Sequence, residues 1–332
     1  MTRLDSVSRR NPHGRGHPLL RQLRKDKFSA AAALALAVLA LAAITGDLLA
    51  PHDPNALDVA HRLVPPIWNS GGDIAFPLGT DFLGRDLLSR IISGARISLF
   101  VGVITAVIVA IIGTTLGVSA GFFRGRVDQV VMGLTDIIMA FPAILLLLGI
   151  VAMTGRSLTT IILALSVRFW TSFARLGRSM TLSIAESDYV TAAQAIGSSR
   201  WRIIRLHILP NILSPILVLA ALEAGRIMLS EAAISFLGYG IQAPLTSWGL
   251  MMADGKNYLS SAWWTVTFPG FALFLTILAL ITLQNFLRVA TDPLHRPRAN
   301  APAGGTAGSE SGAGRVAVAG PSASVSSQGR TN

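Results

Sequence analysis

The 332-residue chain is 52% hydrophobic and 14% charged, with a net charge of +11 and a mean hydropathy of +0.57. Several apolar runs reach the roughly 20 residues that cross a bilayer, which excludes an ordinary soluble domain. The excess positive charge lies in loops between those runs and reads as membrane topology, not as a nucleic-acid stripe; the absence of cysteine excludes a disulfide framework, a thiol nucleophile and a thiolate metal site.

Residues 1–27 carry eight basic residues, Arg3 to Lys27, against Asp5 and Asp26, and form a predicted cytoplasmic tail. The apolar run from Phe28 to about Ala50 is nearer a full span than a signal core, so an uncleaved anchor is expected, with a cleaved signal peptide as the other reading. Residues 51–96 are polar and acidic through Asp53, Asp58, Asp73, Asp81 and Asp86, and belong outside. Within them Leu87, Leu88, Ile91 and Ile92 recur at helical spacing, which predicts an amphipathic surface helix.

Leu99 to Phe123 is free of charge and forms the second span. Gly113, Gly117 and Gly121 recur every fourth residue, the small-residue stripe that lets helix backbones approach in lipid. Arg124 and Arg126 mark an inner turn before a third span, Val130 to about Met153, in which Pro142 predicts a kink and Asp136 falls in the inner half. A fourth span, about Leu158 to Phe173, contains Arg168 and delivers the chain inward past Arg175 and Arg178.

The cytoplasmic loop 178–210 holds the sequence SDYVTAAQAIGSSRWRIIRLHILP, Ser187 to Pro210. Tyr189, Ala192, Ala193 and Ile196 lie at i, i+3, i+4 and i+7 and predict one face of a short helix with Ser187 as its cap. Gly197 should end it in the left-handed conformation, and Ser198 or Ser199 should open a second helix carrying Trp201, Ile204 and His207, with a turn at Pro210. Two alanines beside a tyrosine make a narrow ridge suited to a cleft on another protein, and Arg200, Arg202 and Arg205 flank it. A re-entrant loop folded on its own membrane domain fits the same pattern.

A fifth span, Asn211 to about Phe236, holds Glu223, Arg226 and Glu231. With Asp136 and Arg168 these groups either line a polar translocation path or pair within the bundle. Leu237 to Ser261 returns outside, Trp263 and Trp264 mark the interface, and a sixth span ends near Leu287. From about Ala299 small residues dominate without apolar period, so the tail 293–332 is expected to be disordered. The expected fold is all-α and polytopic, a membrane domain of six transmembrane helices over 28–292 with both ends cytoplasmic.

The Ser187 to Pro210 segment resembles the EAA loop of binding-protein-dependent ABC importer permeases. Its pattern is Glu-Ala-Ala, three residues, Gly, nine residues and Ile-x-Leu-Pro; Ala192, Ala193, Gly197, Leu209 and Pro210 match it, while Thr191 replaces the Glu and His207 the Ile. Phe76 to Gly102 and the outer loop containing GYGIQAPLTSWGL are similar to the dipeptide, oligopeptide and nickel branch, in its C-type subunit. The resemblance implies a type I ABC importer permease fold and a coupling helix, Tyr189 to Ile196, that docks on an ATPase. It further implies a second homologous permease, two ATPase subunits binding ATP and Mg, and an extracytoplasmic substrate-binding protein.

No Walker A sequence occurs among the three lysines, Lys25, Lys27 and Lys256, so ATP hydrolysis and its cofactors are expected in a partner, not in this chain. The six histidines show no metal spacing, and no nucleophilic arrangement stands out, so no catalytic or metal residue is assigned. An ion-gradient-driven transporter or channel, with Glu223, Arg226 and Glu231 as the ion path, is the alternative reading.

Overall fold

The computed structural model describes residues 27–291; the tails predicted on either side, apart from Lys27, lie outside the described residues. Ten α-helical segments follow one another among the described residues, with no strand: α1 (Lys27–Leu49), α2 (Leu87–Phe123), α3 (Gly125–Ala140), α4 (Ala143–Thr154), α5 (Leu158–Ala185), α6 (Asp188–Ala195), α7 (Arg200–Ile203), α8 (Leu209–Phe236), α9 (Trp248–Gly255) and α10 (Trp264–Thr291). Four helical stretches are long and apolar enough to cross a membrane: Lys27–Gly46, Leu87–Phe123, Arg200–Phe236 and Trp264–Val289. The bent pair α3 and α4 makes a fifth if taken as one span.

Three boundaries differ from the expected ones. The amphipathic outer helix is not a separate element, because Asp86 caps α2 by accepting from the Ser89 N–H at 3.0 Å and the helix continues from Leu87 to Phe123. The kink at Pro142 is a full break, with α3 and α4 meeting at 93°. Pro210 marks no turn, because α7 runs into α8 through a π-helical turn, Ile204–Ile208. Leu209 N–H donates to the Ile204 carbonyl, and this wider turn lets the helix pass a proline that lacks an N–H and would crowd the preceding turn.

Close packing of α2 on α5 follows from the glycine stripe. A Cβ on Gly113 would lie 2.3 Å from the Trp170 carbonyl oxygen, and one on Gly117 2.2 Å from that of Ala174. Backbone therefore touches backbone, which dispersion rewards where lipid offers no hydrophobic drive between helices. A core of Val101, Val109, Leu147, Ile161 and Phe173 joins α2, α4 and α5 to α8. A second, with Leu87, Met228, Trp248, Trp264 and Leu273, joins the N-terminal end of α2 to α8, α9 and α10.

Segment 51–86 is held to α2 and α9 by buried charge. Asp81 accepts from Arg85 Nε at 2.6 Å, Arg90 Nε lies 3.5 Å from the same carboxylate, and both guanidiniums reach Asp254 on α9, at 3.4 and 3.8 Å. Trp264 Nε1 donates to the Thr80 carbonyl at 3.1 Å, and Trp248 Nε1 to that of Ile91 at 2.9 Å. The irregular segment 51–86 is thereby fastened to the helix ends beneath it.

Candidate functional site

Between α5 and the continuous helix from Arg200 to Phe236 stands the elbow built on α6. Its two sides differ sharply. Val190 is fully buried and Ala193 only 9% exposed, and Val190 joins Ile203, Ile204 and Ile208 in the main core. Tyr189, Ala192 and Ile196 face outward, with Ile196 84% exposed. The expected four-residue ridge is thus three residues, Tyr189, Ala192 and Ile196, at i, i+3 and i+7; Ala193 lies on the side that packs against its own domain. Exposed Trp201 and Leu206 extend the outward surface along the next helix.

Local bonds fix the elbow's shape. Gly197 has φ +82, its N–H donates to the Gln194 carbonyl at 2.9 Å, and Ser198 N–H donates to that of Ala193 at 3.1 Å, a Schellman closure that needs the left-handed residue. Ser187 stands at the N-cap, but its hydroxyl donates backward to Ile184, while its carbonyl accepts from Val190 and Thr191. The Tyr189 ring rests 5.8 Å from that of His207, and Leu209 and Pro210 are exposed at the start of α8. Thr191, in the place of the motif's Glu, is exposed and donates only to the Ser187 carbonyl, so the helix closes without a carboxylate.

Three ion pairs tie the neighbouring elements together. Arg124, in the turn between α2 and α3, bonds Glu186 at 2.7 Å; Arg178 on α5 makes a two-bond pair with Asp128 on α3; and Arg175 bonds Asp136 at 2.7 Å. Sequence reasoning missed all three, whose partners are 62, 50 and 39 positions apart. The only signal available was opposite charge at neighbouring helix ends. The exposed pairs add little stability, while the two-bond pair fixes geometry as well as charge.

Of the charges expected inside the membrane, Asp136 pairs with Arg175 and not with Arg168. Glu223 is buried and lies 3.4 Å from Arg226, whose side chain is largely exposed; its second oxygen has no partner. Glu231, also buried, accepts from Ser235 at 2.6 Å and from Ser247 at 3.0 Å, which links α8 to the cap of α9. Arg168 donates only to Thr171, at 3.3 Å, and its buried Nε finds no acceptor. No group of three or more potential metal ligands occurs among the described residues.

The elbow thus lies between α5 and the continuous helix Arg200–Phe236, one side closed on the core and the other open. Residues 113–296 match the family described as "Binding-protein-dependent transport system inner membrane component", and residues 17–66 match the "N-terminal TM domain of oligopeptide transport permease C". The chain belongs to the binding-protein-dependent ABC importer permeases.

Among relatives of this permease, the Di/tripeptide transport system permease protein DppC of Pseudomonas aeruginosa is 39% identical over 260 residues, 78% of this chain and 86% of that protein. The Probable D,D-dipeptide transport system permease protein DdpC of Escherichia coli is 36% identical over 84% of this chain and 91% of its own length. The Glutathione transport system permease protein GsiD of Pectobacterium atrosepticum is 36% identical over 82% and 89%. A solved inward-facing MetNI methionine ABC transporter shares the fold, with a TM-score of 0.52 at 19% identity, covering 62% of this chain and 98% of that one. The permease is therefore a multi-pass membrane component of an ABC importer, a subunit class that does not itself carry the catalysis. Membership favours this reading over an ion-gradient-driven transporter.

Proposed function

We propose that this permease forms half of the path of an ATP-driven importer of di- or oligopeptides, and that Tyr189, Ala192 and Ile196 seat in a separate ATPase. The observation that carries the docking role is the two-sided elbow: apolar residues lie on its outer surface although buried neighbours already satisfy its inner one. Ile196 exposed to water is a standing cost of about 1.5–3 kcal/mol relative to burial, recovered when a partner covers it. Ala193 and Gly197 shape the elbow from below, and Leu209 and Pro210 anchor its exit into α8.

The assembly has a second homologous permease, two ATPases that bind ATP and Mg, and an extracytoplasmic binding protein that delivers the peptide. Six spans cross the bilayer, counting α3 with α4 as one and α5 as another, which places residue 27 and residue 291 on the cytoplasmic side with the elbow. Closure of the ATPases moves the elbow as a rigid lever and alternates access to the central path. Peptide substrates are supported by the names of the relatives, all peptide or glutathione systems.

Uptake of a labelled dipeptide into vesicles holding the full assembly tests this. Uptake that requires ATP and the external binding protein, and survives a protonophore, is the expected result. Uptake by the permease alone that follows an ion gradient would overturn it.

A further inference from the structure

The inner two-thirds of α5 carries a polar stripe that the coupling role leaves unused. Arg168, Ser172, Arg175 and Ser179 are spaced by four, three and four residues, which at 100° per residue keeps them within an arc of about 60°. Arg168 and Ser172 are half-buried, Arg175 and Ser179 exposed, so the stripe opens toward the side of the elbow. A stripe of two guanidiniums and two hydroxyls on a spanning helix belongs against water or protein, not lipid.

Its outer end is the informative one. Arg168 lies ten residues into α5, about 15 Å from the helix's outer end and so close to mid-bilayer. Arg175 has Asp136 and Arg178 has Asp128, but no carboxylate among the described residues pairs with Arg168. Its guanidinium has one contact to Thr171, a ring 5.8 Å away in Phe169 and a buried Nε with no acceptor. A permanently charged donor set at that depth is costly unless an anion meets it, and its planar fork matches a carboxylate.

We propose that Arg168 binds the C-terminal carboxylate of the transported peptide at the midpoint of the path, with Ser172 on the same face one turn inward. The assignment rests on the peptide reading above. A substrate carboxylate is the one anion every linear peptide brings, whatever its side chains. Its passage from Arg168 toward the paired, and so weaker, Arg175 gives the anion a descending series of contacts rather than a trap.

The chain has no cysteine, so Ser172→Cys is this subunit's one thiol. In inverted vesicles holding the full transporter without nucleotide, its labelling by a water-soluble maleimide is followed as a peptide without acidic side chains is added from the cytoplasmic side. The peptide is one already shown to be taken up, and it is compared with its C-terminal amide; the assembly with the cysteine-free subunit supplies the background. The free acid should protect at about tenfold lower concentration than the amide, the worth of one charge-assisted contact. Arg168→Gln should erase the difference and Arg168→Lys restore part of it.

Equal protection by acid and amide, as expected if Arg168 instead pairs with the second permease, would overturn the assignment. So would a difference that survives Arg168→Gln, no protection, or a thiol that never labels. If no peptide is taken up at all, the peptide reading fails before this one is reached.

Discussion

Ala192 and Ala193 are adjacent in sequence, about 100° apart on one short helix, and differ in burial: Ala192 is exposed, and Ala193 is packed against the membrane domain on the side of Val190. A helix of eight residues therefore presents a small-sided ridge outward while a second small side lets it sit close to its own support. The two alanines have separable consequences when enlarged.

Ala192→Trp should insert and fold normally yet uncouple: ATP hydrolysis by the assembled complex continues while uptake falls by at least about tenfold, the effect of about 1.4 kcal/mol lost at a docked surface. Ala193→Trp should instead overpack the elbow at a cost of about 1–3 kcal/mol, seen as a lower thermal stability of the subunit itself. Equal folding and equal uptake in both variants would contradict the orientation of α6.

Gly197 has φ +82 and no atom within 4 Å of the position a Cβ would take. Gly197→Ala should therefore cost only its backbone strain, about 1 kcal/mol, and leave uptake measurable. Gly197→Pro fixes φ near −65° and removes the N–H bonded to Gln194, so it should abolish uptake while the spans remain inserted. Protease accessibility of the elbow in vesicles, beside uptake, distinguishes the two.

The approach of α2 to α5 makes a sharper stability prediction. Gly117→Ala places a methyl 2.2 Å from the Ala174 carbonyl, and backbone cannot rotate aside, so the helices must separate at a cost of about 1–3 kcal/mol. Gly133→Ala, on α3 with nothing within 4 Å, should be neutral or stabilising by up to about 1 kcal/mol. Thermal inactivation of both variants in detergent tests the contrast.

Where α9 meets segment 51–86, burial raises the Asp254 carboxyl above its ordinary value, while the Arg85 and Arg90 guanidiniums pull it back down. Its folded value lies above the unfolded one, near 3.9, so the contribution of this group is fully present below the unfolded value. That contribution is lost as pH rises through the folded value. Asp254→Asn should flatten the dependence of this layer's stability on pH above about 4, read as protease resistance of segment 51–86. An unchanged profile would show that Asp254 does not titrate against the fold.

Much of the bundle was legible because long charge-free runs and a four-residue glycine period are one-dimensional signals. Leu99 to Phe123 and the Gly113, Gly117, Gly121 stripe became a buried helix contact of the expected kind. Gly197 also took the expected left-handed conformation, since few residues fit it. What stayed hidden needed three dimensions. The helix passes Pro210 because a π turn just before it relieves the crowding, and no residue type announces that turn. Asp136 pairs with Arg175 and not Arg168, and Asp128 with Arg178, because α3 packs on α5, a contact between residues 39 and 50 positions apart. The spacing placed both alanines on one ridge; Val190, whose side of the helix packs into the core, takes Ala193 inward with it and leaves Ala192 outside.

The most direct test uses Ala192→Cys, again the subunit's single thiol, in the full assembly with a short bifunctional crosslinker. The docked elbow predicts a crosslink to the nucleotide-hydrolysing subunit whose yield changes when ATP is added. A crosslink that never reaches that subunit, or a thiol modified only from the outer face of the bilayer, would contradict the coupling role of α6.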